Sequence, residues 1–195
     1  MKNKEKIILV GGGGQCMASI DVIEQTGIYE IEAIVDVPEK VGQTILNYPI
    51  LYTDDQLPEL SKKYKNFLVT VGQIRSSELR IKLFNILKSL NVTLPVIVSP
   101  LAYVSRHATI DEGTIVMHHA LVNANAKVGK NCIINSKALI EHSATVGDFC
   151  HISTSAIING DVIVEERCFV GSNAIARHGI TIPANSFIKA NSLIK

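Results

Sequence analysis

Between residues 104 and 194 every sixth position is isoleucine or valine, with Ala176 as the one exception. Fifteen of these sixteen positions carry two residue types that supply only 45 of the 195 residues, whereas chance would place roughly four there. Two positions earlier stands a small residue in most hexads: Ala102, Ala108, Ala120, Ala126, Cys132, Ala138, Ala144, Cys150, Ala156, Cys168 and Ala174. A branched and a small side chain alternating in this way describe short strands with a turn every six residues. Neither a 3.6-residue nor a heptad period holds such a register over so long a stretch without a slip. A six-residue unit cannot bury its apolar face until neighbouring coils stack on it, so the array predicts a parallel β-helix.

About a hundred residues precede the array, enough for a second small domain. The formal net charge of +1 gives no electrostatic footprint for nucleic acid or an anionic membrane. No apolar run approaches the length of a transmembrane helix, and the opening Met1-Lys2-Asn3-Lys4-Glu5-Lys6 leads into a short strand rather than a signal peptide, so a cytoplasmic protein is expected. The four cysteines contain no Cys-x-x-Cys pair, and no metal site is expected.

In the first hundred residues the apolar run 6–10 is followed by Gly11, Gly12, Gly13 and Gly14. From 15 to 25 the spacing of Cys16, Ile20 and Ile23 predicts a helix with Met17 beside its apolar face. A second run, 31–35, ends at Asp36. Strand, glycine turn, helix and strand with a terminal acid describe a Rossmann-like nucleotide-binding unit, in which glycines let backbone N–H groups and a helix N-terminus approach phosphate. The spacing is not a clean G-x-G-x-x-G, because Cys16 stands where the third glycine would be, which argues against an ordinary NAD site; a tight turn without a ligand is the competing reading. Further on, an extended piece around 49–52, a helix from about Asp54, a strand at 67–71 closed by Gly72, and a helix over 76–90 are expected. That last helix should turn Leu79, Leu83, Ile86, Leu87 and Leu90 inward, with Ser76 and Ser77 as N-caps. A fourth strand is predicted over 94–98, and Ser99-Pro100 separates a domain 1–100 from a domain 101–195.

Several segments together resemble the bacterial nucleotide-sugar acyltransferases related to sialic-acid O-acetyltransferases, a group that includes N-acetyltransferases of bacillosamine-type sugars. They are Gly11 to Gly14, Val71-Gly72, Val96-Ile97-Val98-Ser99-Pro100-Leu101-Ala102, Ile140-Glu141-His142 and Cys150-His151-Ile152. The resemblance implies a left-handed, three-sided prism of eighteen residues per coil, about five coils and roughly 24 Å tall at the usual strand spacing. On such a prism Cys132, Cys150 and Cys168 stack in one inward column as small apolar fillers.

The same resemblance implies a homotrimer that binds a nucleotide-linked amino sugar with its N-terminal domain and acetyl-CoA between prisms. Its imidazole base is carried over to His142, and a second histidine near the thioester carbonyl to His151. Gly160 and Gly171 match small positions along the pantetheine path, Asn135 an asparagine near the acceptor sugar, and Asp36 an acid near the nucleotide base. Gly11, Gly12, Gly13, Gly14, Gln15 and Gly72 fall at the substrate-binding turn. Imidazole suits the chemistry independently, because acyl transfer needs a group titrating near neutrality to take the proton of the attacking amine or hydroxyl. N-acetylation is the leading expectation, with O-acetylation of a sialic-acid-like sugar and a catalytically silent sugar-nucleotide-binding protein as rivals. Three departures stand out: Gln15 replaces a frequent histidine, Ser143 replaces a frequent acid after the base, and relatives continue past the position of Lys195 into a capping tail. Glu141 or a backbone carbonyl is left to orient His142. His107, His118 and His119 read as solvated corner residues, and His178, two coils beyond His142, as too distant for a joint role.

Overall fold

The computed structural model describes residues 4–195, so Met1, Lys2 and Asn3 of the opening stretch lie outside the described residues. The chain divides into two compact units, residues up to Gly72 with Glu78–Pro95, and Gln73–Ser77 with Val96–Lys195.

In the first unit β1 (Glu5–Val10) is the centre of a sheet that also holds β2 (Tyr29–Val35), β3 (Thr44–Ile45), β4 (Tyr48–Tyr52) and β5 (Asn66–Val69), in the order β3-β4-β2-β1-β5. Only the β3–β4 pair is antiparallel. Ile7, Ile8, Leu9 and Val10 are fully buried, as a central parallel strand covered on both faces requires. Helix α1 (Gly14–Thr26) ends at Gly27, whose left-handed backbone (φ 65°) closes it. Its buried face is Cys16, Ser19, Ile20, Val22 and Ile23, while Met17, expected beside that face, is exposed. A short α2 (Leu57–Lys63) precedes β5.

Helix α3 (Glu78–Ser89) buries Arg80, Leu83, Phe84 and Leu87, a 3-1-3 spacing that defines one face. Leu79, expected inward, is exposed, and Arg80 takes the interior place. The reason is local: the Arg80 guanidinium donates to the carbonyls of Val69 (3.1 Å) and Val71 (2.5 Å), where the chain leaves β5 and the ladder no longer serves them.

The predicted fourth strand shrinks to β6 (Ile97–Val98), and it belongs to the second unit, pairing with Ile115 and Val116. Contacts therefore divide at Pro95 and Val96, not after Pro100.

The second unit is a left-handed parallel β-helix. Its two-residue strands form two sheets of six and one of five. Pairing steps by eighteen residues throughout, as in Ile115, Ile133, His151, Phe169 and Phe187. The second residue of each strand points inward, and the Ile and Val of the hexad alternate there with the small positions, forming one continuous core. Cys132, Cys150 and Cys168 are fully buried, unbridged and stacked: the Cys150 amide lies 3.4 Å from the Cys132 sulfur, and the Cys168 amide 3.4 Å from that of Cys150. The neighbouring Cys168 thiol and burial both push the Cys150 thiol up, keeping it neutral.

One residue of each hexad from Gly113 to Asn191 has positive φ, between 50° and 73°. From Asn131 onwards its amide bonds back to the preceding coil, as Ser143 does to the Ala124 carbonyl at 3.1 Å. Asparagine, which tolerates the left-handed region, holds five of these places, including Asn125 and Asn173. On one sheet the outward residues form an apolar column of Tyr103, Leu121, Leu139, Ile157, Ile175 and Leu193; Tyr103 and Leu193 are 60% and 56% exposed.

Candidate functional site

The glycine turn after β1 uses its four glycines in two ways. Gly11 has φ 111° and lies against the backbone of Val71, and a Cβ on Gly12 would come within 2.9 Å of Asp36 Oδ2. These two are demanded by packing. Around Gly13 and Gly14 there is open space, so nothing within the unit excludes a side chain there. Gly13 is the N-cap of α1 with φ −104°, an ordinary extended conformation, and no side chain caps the helix. Gly13 and Gly14 are both exposed, so this helix N-terminus is accessible to an anion.

Asp36 closes the turn from the other side. Its Oδ2 accepts from the Gly12 amide (2.6 Å) and the Lys40 ammonium (3.0 Å), and its Oδ1 from the Val37 amide (2.7 Å). Burial opposes its charge, but the Val37 amide, Lys40 and the Gly12 amide together outweigh it and hold the carboxyl below its usual range. The carboxylate expected near a nucleotide base is thus the internal brace of the turn. Gly72 faces Gln15, with room for a Cβ 3.6 Å from the Gln15 Cβ.

In the second unit the expected site residues fall into two groups. The first surrounds His142, an exposed residue of the turn that follows the strand Leu139–Ile140. Glu141 does not reach the imidazole. Its Oε2 accepts from the His142 backbone amide (3.0 Å) and from Asn123 Nδ2 (2.8 Å), and these two donors hold its carboxyl below the ordinary range. Glu141 therefore shapes the turn rather than orienting the ring. Ser143 occupies the left-handed position of that turn, its hydroxyl accepting from Asn125 Nδ2 at 3.3 Å. No described residue hydrogen-bonds the His142 ring nitrogens, which leaves them open to a ligand. His178, read from sequence as too distant, lies close: the ring centroids are 6.4 Å apart, and His178 Nε2 is 3.4 Å from Asp161 Oδ2. Strand spacing is about 4.8 Å per coil, so two coils separate the backbones by about 10 Å. The rings bridge much of that distance because Gly160 leaves the intervening coil bare.

The second group surrounds His151, which is buried. Its Nδ1 lies 2.6 Å from the Gln73 carbonyl, which can only accept, so Nδ1 carries the proton. Nε2 then accepts from Asn135 Nδ2 at 3.2 Å, while Asn135 Oδ1 accepts from the Ser136 amide. The ring packs edge-on against Phe169. Both nitrogens are thereby engaged within the chain, and the ring has none left for a thioester carbonyl. Sequence reasoning missed Gln73, a buried residue whose amide also donates to the Phe149 carbonyl at 2.8 Å. Its only sequence signal is its position after Val71-Gly72.

Of the other histidines, His118 is tied to Ser99 (2.7 Å) and His107 to Arg106. Gly171 is packed under the next coil, where a Cβ would meet the Ala190 amide nitrogen at 2.5 Å. Among the described residues no cluster of three His, Cys, Asp or Glu side chains could hold a metal ion.

Residues 6–87 match the PglD N-terminal domain family, and residues 161–195 match the hexapeptide repeat of succinyl-transferase. PerB from Caulobacter crescentus, solved with CoA and GDP-perosamine, is 28% identical, with a TM-score of 0.88 over 95% of this chain and 86% of that one. The acetyltransferase domain of PglB from Neisseria gonorrhoeae, solved with acetyl coenzyme A, is 26% identical, with a TM-score of 0.89 over 99% of this chain and 92% of that one. WeeI from Acinetobacter baumannii shares the fold at 17% identity and a TM-score of 0.60, over 96% and 94% of the two chains. No curated protein sequence matches the chain.

Proposed function

Because this chain belongs to the hexapeptide-repeat nucleotide-sugar acetyltransferases, we propose that His142 is the general base with which it transfers an acetyl group from acetyl-CoA to the amine of a nucleotide-linked amino sugar. The amine nitrogen attacks the thioester carbonyl carbon while His142 removes one of its protons. The tetrahedral intermediate collapses, the C–S bond breaks, and CoA leaves as a thiolate that takes up a proton. The amide and free CoA are the products. One observation carries the assignment of His142: its imidazole is exposed at a coil turn with both ring nitrogens unengaged, whereas His151 spends both of its own inside the chain.

The uncapped N-terminus of α1 with Gly13 and Gly14 receives the diphosphate of the nucleotide sugar. His151 and Asn135 keep the wall of the acetyl-CoA path rigid rather than touching the reacting carbonyl. The apolar column from Tyr103 to Leu193 is the seam of a homotrimer. No helix among the described residues is long and apolar enough to cross a membrane. Free thiols and a CoA co-substrate suit a cytoplasmic setting.

The test is thiol release from acetyl-CoA with nucleotide-linked amino sugars. His142→Ala should lose at least about a hundredfold in kcat, with both KM values within a few-fold of native. A kcat within about threefold of native, with the acidic limb of the pH profile unchanged, removes His142 from the mechanism.

A further inference from the structure

The turn that carries His142 recurs one coil later at Gly160 and two coils later at His178, because Ile140 pairs with Ile158 and Ile158 with Ala176. Gly160 differs from the other glycines of the prism. A Cβ built on Gly129, Gly147 or Gly171 meets backbone atoms of the following coil, at 2.8 Å from the Asp148 nitrogen, 2.8 Å from the Glu166 nitrogen and 2.5 Å from the Ala190 nitrogen. Those three glycines are required by coil stacking. The three atoms nearest to a Cβ on Gly160 all belong to the His142 imidazole, Cε1 at 2.6 Å, Nε2 at 2.8 Å and Nδ1 at 3.2 Å. Gly160 does not have a positive φ either, so its backbone accepts alanine. No backbone atom of the prism comes as close to this place as the ring of His142 does.

Beyond Gly160 the ring meets a second boundary. His178 stands with its centroid 6.4 Å away, its plane inclined by 53°, and Asp161, the residue after Gly160, lies 3.4 Å from His178 Nε2. The Asp161 amide in turn bonds the His142 carbonyl at 3.2 Å, and the Gly179 amide the Gly160 carbonyl at 3.0 Å. The imidazole therefore leans over a bare stretch of backbone towards a second ring.

We propose that Gly160 is a positioning residue: the absence of its side chain forms the shelf on which the His142 imidazole lies in reach of the amine proton. The proposal rests on His142 being the base. It assigns the glycine a different employment from a small residue that clears a path for pantetheine, and the two make opposite kinetic predictions. A side chain that narrows the path raises the acetyl-CoA KM. A side chain that lifts the imidazole leaves KM alone and lowers kcat, since displacing a catalytic group by about 1 Å can cost on the order of a hundredfold.

The experiment is a cycle of native protein, Gly160→Ala, His142→Ala and the double variant, assayed by thiol release, with the His142 ring resonances followed by NMR. Gly160→Ala should lower kcat at least about tenfold with the acetyl-CoA KM within about twofold. In the His142→Ala background the same alanine should change kcat less than about twofold, because nothing is left to displace. The His142 ring resonances should shift in Gly160→Ala whether or not activity is measured. Native kcat in Gly160→Ala alongside an inactive His142→Ala overturns the inference, and so does an equal loss in both backgrounds or an effect confined to the acetyl-CoA KM. A His142→Ala protein of native rate overturns the assignment of the base instead, and unshifted ring resonances overturn the shelf independently of it.

Discussion

Gly147→Ala places a methyl group against backbone in the middle of the prism. Its Cβ would stand 2.8 Å from the Glu166 nitrogen, 3.0 Å from the Glu165 carbonyl carbon and 3.1 Å from the Glu166 Cα. Relief to a carbon contact of about 3.5 Å needs the neighbouring coil to retreat by about half an ångström or more. That coil is pinned on the same edge by the Gly147 amide to the Val164 carbonyl (2.7 Å) and the Thr145 amide to the Val162 carbonyl (2.8 Å). Overpacking of this kind costs about 1–3 kcal/mol. Removing a glycine from the unfolded chain returns about 0.4–1 kcal/mol, so the net destabilisation should centre on about 1.3 kcal/mol. For a protein of this size that is a fall in Tm of roughly 3–5 °C. Gly160→Ala presses first on a movable ring and should melt at or slightly above the native temperature. Thermal unfolding by circular dichroism or calorimetry, at one fixed protein concentration, reads both. A Gly147→Ala protein as stable as native, or a Gly160→Ala protein less stable than Gly147→Ala, refutes the division of prism glycines into those demanded by backbone and the one demanded by a side chain.

Gly13→Val should raise the KM for the nucleotide sugar while leaving that for acetyl-CoA within about twofold, because the valine fills open space before the α1 amides and, at φ −104°, strains nothing; steady-state kinetics with each substrate varied checks it. The depressed Asp36 carboxyl contributes stability that is fully present above its unfolded value of about 4 and is lost as pH falls through its lower folded value. Asp36→Asn should therefore be less stable than native by about 1–3 kcal/mol at pH 7, with the gap closing as pH falls below about 4; urea titrations across that range give the answer, and a gap that is constant with pH contradicts it.

The prism was legible because its signal is redundant. Each inward Ile or Val is repeated at eighteen residues by the residue it stacks on, so register, coil size and the cysteine column follow from one period. Where a feature depends on a single residue, sequence was a poorer guide. Leu79 and Arg80 exchange expected roles because carbonyls at the end of β5 need donors, and the apolar spacing of a helix does not record that need. β6 has the composition of any strand in the first unit, yet its partners are Ile115 and Val116 of the prism. At the candidate site the types and places of His142 and Gly160 were visible. The nearness of His178 was not, because it depends on what the intervening coil lacks. Glu141 looked like the partner of the imidazole from its adjacency, but its carboxylate is drawn to the closer backbone amide.

Gln73–Ser77 belongs with residues that come much later in the chain. Among the partners of Gln73 are the Phe149 carbonyl, 76 residues on, and the His151 ring, 78 residues on. At synthesis rates of about 5–20 residues per second these emerge several seconds after Gln73 itself. During that interval β1 to β5 can already pair, whereas the segment between β5 and α3 has no surface to lie on. Its docking closes one of the longest loops in the chain and should be among the last steps of folding rather than the first. A nascent chain stalled before Phe149 would thus hold a formed sheet with an open strap, and release past His151 would be the event that fastens it.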